Sequence, residues 1–150
     1  MRLLLDTHVF LWAVTANRRL KSSTREFLSR ADAVYVSAAS IWEIAVKARL
    51  GKIDADAAHL VDAIDRSGFL ELPVSAHHAA AVAKLPLHHS DPFDRLLLAQ
   101  AFLEPLRFVT ADSVLAAYGG AIELIKPSTA KAPGPTAKLG NDSKPRQRSK

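Results

Sequence analysis

Apolar residues occur in this chain as short unbroken runs, separated by longer stretches in which they recur every three or four positions. Leu3, Leu4 and Leu5 form one such run, ended by Asp6. A run without polar alternation suits a strand covered on both faces, as in a parallel sheet. Val34 to Val36, Phe69 to Leu72, Arg107 to Val109 and Ile122 to Leu124 predict four further strands. Helical spacing follows Asp6 through Val9, Phe10, Trp12 and Ala13, and fills 23–31, 40–50, 56–66, 75–84, 92–103 and 113–118. Strands separated by helices imply βαβ units, hence a three-layer α/β/α domain with a central, mainly parallel sheet.

At 150 residues and 49% hydrophobic content, the chain fits one domain. No apolar run approaches the roughly 18 to 20 residues of a membrane helix, and Asp6 interrupts the N-terminal run too early for a secretory signal. The expectation is a soluble, cytoplasmic protein. The absence of cysteine excludes disulfides, thiolate metal sites and a cysteine nucleophile. The formal net charge of +5 is unevenly placed. Residues 1–126 carry 14 basic and 14 acidic residues, whereas residues 127–150 carry six and one. That second segment holds four prolines and no aromatic residue, so it reads as a disordered basic tail behind a folded unit of residues 1–126.

Ligands of open α/β sheets gather outside the carboxyl ends of the strands. Asp6 ends the first predicted strand, and Asp112 follows the strand at 107–109. Glu43 falls in the first turn of the helix after the second strand, and Asp94 in the first turn of the helix opened by Ser-Asp-Pro-Phe-Asp. Each has an ordinary explanation. Ser40 with Glu43 matches a capping box, Asp91 precedes Pro92 at a favourable N-cap position, and Asp112 is placed to cap the segment behind it. Lys47, one turn beyond Glu43, is a ready partner for it.

Taken together the acids say more. Four carboxylates at one sheet edge, with Asp91 nearby, repel unless protonated or neutralised by a cation. An all-oxygen donor set without cysteine favours Mg²⁺ or Mn²⁺ over Zn²⁺. Such an ion activates water for attack on phosphorus and screens phosphate charge, so the residues point to a metal-dependent phosphodiesterase.

The same residues resemble the PIN domain, the nuclease fold of VapC-type toxins in bacterial toxin–antitoxin pairs. Leu-Leu-Leu-Asp-Thr-His-Val-Phe-Leu-Trp at 3–12, Ser-Ile-Trp-Glu-Ile-Ala-Val-Lys at 40–47, Asp-Pro-Phe-Asp-Arg-Leu-Leu-Leu-Ala-Gln-Ala at 91–101 and Phe-Val-Thr-Ala-Asp at 108–112 carry the similarity in order. The resemblance implies an acidic quartet of Asp6, Glu43, Asp94 and Asp112, with Asp6 and Asp94 as direct metal ligands. It also implies Mg²⁺-dependent RNA cleavage, a homodimer, and restraint by a cognate antitoxin protein. Thr7 and Thr110 are candidates to orient carboxylates, and Arg95 to contact a phosphate.

Other residues are left outside the site. His77 with His78, and His88 with His89, are adjacent pairs that do not share a helix face, so they are not read as ligands. His8, two positions after Asp6 and so near the cleft, reads as a partly exposed helix residue, and Trp12 and Trp42 as core or dimer-interface residues. Two rivals remain. A haloacid-dehalogenase-like phosphatase wants a second Asp where this chain has His8. An RNA-binding module would act through Lys144, Arg146, Arg148 and Lys150.

Overall fold

The protein is described from a computed structural model covering residues 1–129. The basic tail expected at 127–150 lies outside the described residues from position 130 onward. Five strands, β1 (Arg2–Leu5), β2 (Ala33–Ser37), β3 (Leu70–Leu72), β4 (Arg107–Thr110) and β5 (Ile122–Leu124), form one sheet in the order β3-β2-β1-β4-β5. Every pairing is parallel, so the mainly parallel expectation becomes a fully parallel sheet. The helices are α1 (Thr7–Val14), α2 (Ser22–Ser29), α3 (Ala38–Arg49), α4 (Ala57–Arg66), α5 (Ala76–Ala81) and α6 (Pro92–Leu103). The helical spacing at 75–84 resolves into α5 and a 3₁₀ turn over Val82–Lys84, and that at 113–118 is wholly 3₁₀.

The strand order fixes the layers. From β1 the chain moves outward through β2 to β3, then crosses over β1 to β4 and moves outward the other way to β5. Parallel crossovers are right-handed, so reversing the direction of travel moves the connections to the opposite face of the sheet. The two cores follow this rule. Leu3, Leu5, Val34, Val36 and Val109 pack with Val9 and Phe10 of α1, Leu28 of α2, Ile44 of α3 and Leu60 and Ile64 of α4. Leu4, Leu72 and Phe108 pack on the other face with Leu97, Leu98 and Ala101 of α6 and with Leu115. The leucine run of β1 therefore splits between the cores, and all three leucines are 0% exposed.

Helix ends are set by local chemistry. Gly51 and Gly68, at φ of +72° and +73°, close α3 and α4 in the left-handed conformation that glycine takes without a Cβ clash. Behind them Lys52 N–H donates to Lys47 O at 2.8 Å and Phe69 N–H to Ile64 O at 3.0 Å, the Schellman arrangement. The capping box expected at Ser40 and Glu43 is not the start of α3. Ser37 caps that helix instead, accepting from Ala39 N–H at 3.0 Å, because β2 passes into α3 without a loop. Glu43 consequently lies in the second turn, not the first.

Between the outward paths, β1 and β4 lie side by side, and their carboxyl ends form the crevice where the order reverses. No helix among the described residues is long and apolar enough to cross a membrane.

Candidate active site

Asp6 occupies this crevice. Its backbone N–H continues the sheet ladder to Val109 O at 2.8 Å, and the residue is 6% exposed. It stands at the N-cap of α1, yet its side chain makes no capping hydrogen bond. Oδ2 instead accepts from the Thr110 hydroxyl at 2.7 Å. Burial raises the Asp6 pKa. The Thr110 bond, His8 and the Thr7 backbone oppose that rise, and Glu43 adds to it.

Glu43 reaches the same crevice from α3 and is 3% exposed. Both its oxygens are engaged: Oε1 accepts from the Thr7 hydroxyl at 2.7 Å, and Oε2 pairs with Lys47 Nζ one turn along. Thr7 Oγ1 also lies 3.0 Å from Ser40 Oγ, so its hydroxyl ties α1 to α3 rather than capping α1. Burial would lower the Lys47 pKa, but the hydrogen bond and charge of Glu43, aided by Asp91 and Asp94, hold it above its ordinary value.

Asp94 enters from the first turn of α6, its N–H donating to Asp91 Oδ1 at 3.0 Å. Asp91 is thus the N-cap, with Pro92 directly behind it. The Asp94 carboxyl has its pKa pushed up to about 7, first by burial, then by the charges of Asp6, Asp91 and Glu43, against a hydrogen bond from His89. Asp112 uses Oδ1 to cap the 3₁₀ segment at Val114 N–H, 3.0 Å, and donates its own N–H to Thr110 Oγ1 at 3.1 Å. One hydroxyl, that of Thr110, therefore sets both acids at the β1–β4 crevice.

The structure thus gathers Asp6, Glu43 and Asp94 within reach of each other's charge. Asp112 joins through Thr110 and through His89. One histidine, read from the sequence as lying outside the site, also reaches it. His89 Nε2 lies 2.7 Å from Asp94 Oδ2 and 4.0 Å from Asp112 Oδ2. His89 precedes α6 in a loop, so helical spacing could not have found it. Of the other histidines, His88 packs edge-on against Tyr118, His78 caps α5 and bonds Glu104, and His8, exposed on α1, reaches Asp6 only through its charge.

Arg95, for which the sequence leaves a phosphate contact and a structural role equally open, is engaged structurally. Its terminal nitrogens donate to the carbonyls of Val82, Leu85, Pro86 and His89 and to the Tyr118 hydroxyl, at 3.0 to 3.4 Å. A guanidinium with those acceptors holds the 82–89 loop. Trp42 is 59% exposed and stacks edge-on with Phe93 at 4.7 Å, outside both cores.

The model of the family described as "PIN domain" matches residues 3–121, from β1 to the start of β5. The chain belongs to the PIN domain family. Solved structures agree on the fold. A VapBC2 complex from Rickettsia felis, bound to a DNA fragment from its promoter, aligns at TM-score 0.62 and 15% identity over 85% of this chain and 100% of that one. FitAcB from Neisseria gonorrhoeae aligns at 0.56 and 19% identity over 81% and 96%. VapBC-5 from Mycobacterium tuberculosis, described as a toxin–antitoxin system member, aligns at 0.55 and 24% identity over 83% and 98%. No match was found among curated proteins.

Proposed function

We propose that this PIN domain is a metal-dependent endoribonuclease, the toxin of a toxin–antitoxin pair, with Asp6, Glu43, Asp94 and Asp112 as its catalytic acids. The observation that carries the reading is the convergence of Asp6, Glu43 and Asp94 from three separate elements on the β1–β4 crevice, with Asp6 and Glu43 buried there. Buried like charges of this kind are relieved by a cation.

The donor set fits a hard divalent ion, Mg²⁺ or Mn²⁺. Asp6 and Asp94 would hold it, because Glu43 has both oxygens engaged by Thr7 and Lys47. When bound, such an ion activates a water and screens the charge on a transferring phosphate. The chain's own residues prepare the place. Thr110 orients Asp6, Thr7 and Lys47 lock Glu43, and the Asp91 cap seats Asp94 at the helix start. A site short of positive charge until a cation arrives admits a phosphodiester only with that cation.

RNA as substrate, a cognate antitoxin, a homodimer and a cytoplasmic setting complete the reading. The toxin–antitoxin systems among the similar structures support the antitoxin. The test is cleavage of single-stranded RNA with and without Mg²⁺, comparing the wild type with Asp6→Asn and Asp94→Asn purified identically. Loss of cutting in both variants and in chelator is expected. Equal cutting by all three proteins would sink the assignment.

A further inference from the structure

His89 was brought to the crevice by tertiary structure alone, and its surroundings show why it stays there. Its carbonyl accepts from Arg95 Nη1 at 3.2 Å, and its neighbour His88 is turned the other way onto the Tyr118 ring, 5.1 Å between centroids. The Tyr118 hydroxyl in turn donates to Pro86 O at 2.8 Å. The loop is thus held on both sides of residue 89, and the imidazole projects to the acids with 21% of its side chain exposed.

We infer that His89 is a metal ligand, its Nε2 joining the carboxylates of Asp94 and Asp112 in a cation position with a nitrogen donor. The three ligand atoms already lie within 4.8 Å of one another. Ligands around a small divalent ion at about 2.0 to 2.2 Å stand roughly 3 Å apart, so the 2.7 Å separation of His89 from Asp94 is close to that spacing. At that distance the two atoms must share something. A proton satisfies them, and so does a cation. Asp112 Oδ2, 4.0 Å from His89 Nε2, is the third donor of the set, while Oδ1 stays on Val114 N–H. An imidazole changes the chemistry of an otherwise carboxylate site. Oxygen donors alone suit Mg²⁺, whereas a nitrogen donor favours first-row transition ions, increasingly from Mn²⁺ through Co²⁺ to Ni²⁺.

The inference rests on the proposed metal centre, and its test separates the two. The full chain, stripped with chelator, is titrated calorimetrically with Mg²⁺, Mn²⁺, Co²⁺ and Ni²⁺, and its Mn²⁺ complex is examined by pulsed EPR. Affinity is expected to climb towards Ni²⁺, and the Mn²⁺ signal to carry a ¹⁴N coupling that becomes a ¹⁵N coupling when histidine is ¹⁵N-labelled. His89→Ala should abolish the coupling and weaken Ni²⁺ binding about tenfold or more, with Mg²⁺ affinity changed less than about threefold. His88→Ala should keep the coupling. If wild-type protein binds Mn²⁺ without nitrogen coupling, or if the coupling survives His89→Ala, His89 is not a ligand, while the nuclease reading stands. If no divalent ion binds the wild type, both readings fall. Should His89→Ala fail to fold, His89→Gln, which keeps much of the volume and polarity, gives the same reading: coupling lost supports the assignment and coupling kept overturns it.

Discussion

The Thr110 hydroxyl donates to Asp6 Oδ2 at 2.7 Å although 104 positions separate the two residues, and the same oxygen accepts the N–H of Asp112. Removing that oxygen without changing the shape should disorganise both acids. Thr110→Val is expected to lower RNA cleavage about 10- to 100-fold, as losses of groups that orient metal ligands do. Thr110→Ser should restore most of it, since the hydroxyl returns. Wild-type turnover in Thr110→Val would show that Asp6 needs no such support.

Glu43 is buried between Thr7 and Lys47, and Lys47 is itself only 26% exposed by side chain. Lys47→Met keeps the length of the stem but leaves a buried carboxylate with one donor. Removing one partner from a largely buried pair is costly, so unfolding free energy should fall by about 2 kcal/mol, measured by urea denaturation without metal. Asp54→Asn, on an exposed loop, serves as the control and should be neutral.

Folding raises the Asp94 pKa from 3.8 to about 7. The folded state therefore holds this proton more tightly than the unfolded chain does, and stability decreases as pH rises through that window. Allowing for solvent at a partly open site, the loss is about 2 kcal/mol. Melting temperatures of metal-free protein from pH 4 to pH 7 should therefore fall for the wild type and fall less for Asp94→Asn. Parallel curves would remove Asp94 as the cause.

Arg95 donates to four loop carbonyls and a phenol from one planar fork, a geometry that an ammonium cannot reproduce. Arg95→Lys should destabilise the fold by about 1 to 3 kcal/mol and speed amide exchange across residues 82–89 more than elsewhere. Uniform exchange across the chain would show that the fork does not anchor this loop.

Much of the molecule was legible in the residues themselves. Strand and helix positions follow from short apolar runs and three-to-four spacing, because both patterns report local burial. Asp6, Asp94 and Asp112 stand where a strand ends or a helix begins, so one rule about sheet edges sufficed to single them out. The start of α3 was misplaced because Ser37 and Ser40 are both good caps, and only the end of β2 chooses between them.

What tertiary structure alone decided is which of these local features meet. The strand order sets β1 beside β4, joining Asp6 to Thr110, and the layering of α1 on α3 joins Thr7 to Glu43 across 36 positions. His89 enters because Arg95 and Tyr118 fix a loop with no periodicity of its own. Local sequence pattern specifies which face of an element is buried. Contacts between distant elements depend on how the whole chain closes, and the chemistry proposed for this site lies in those contacts.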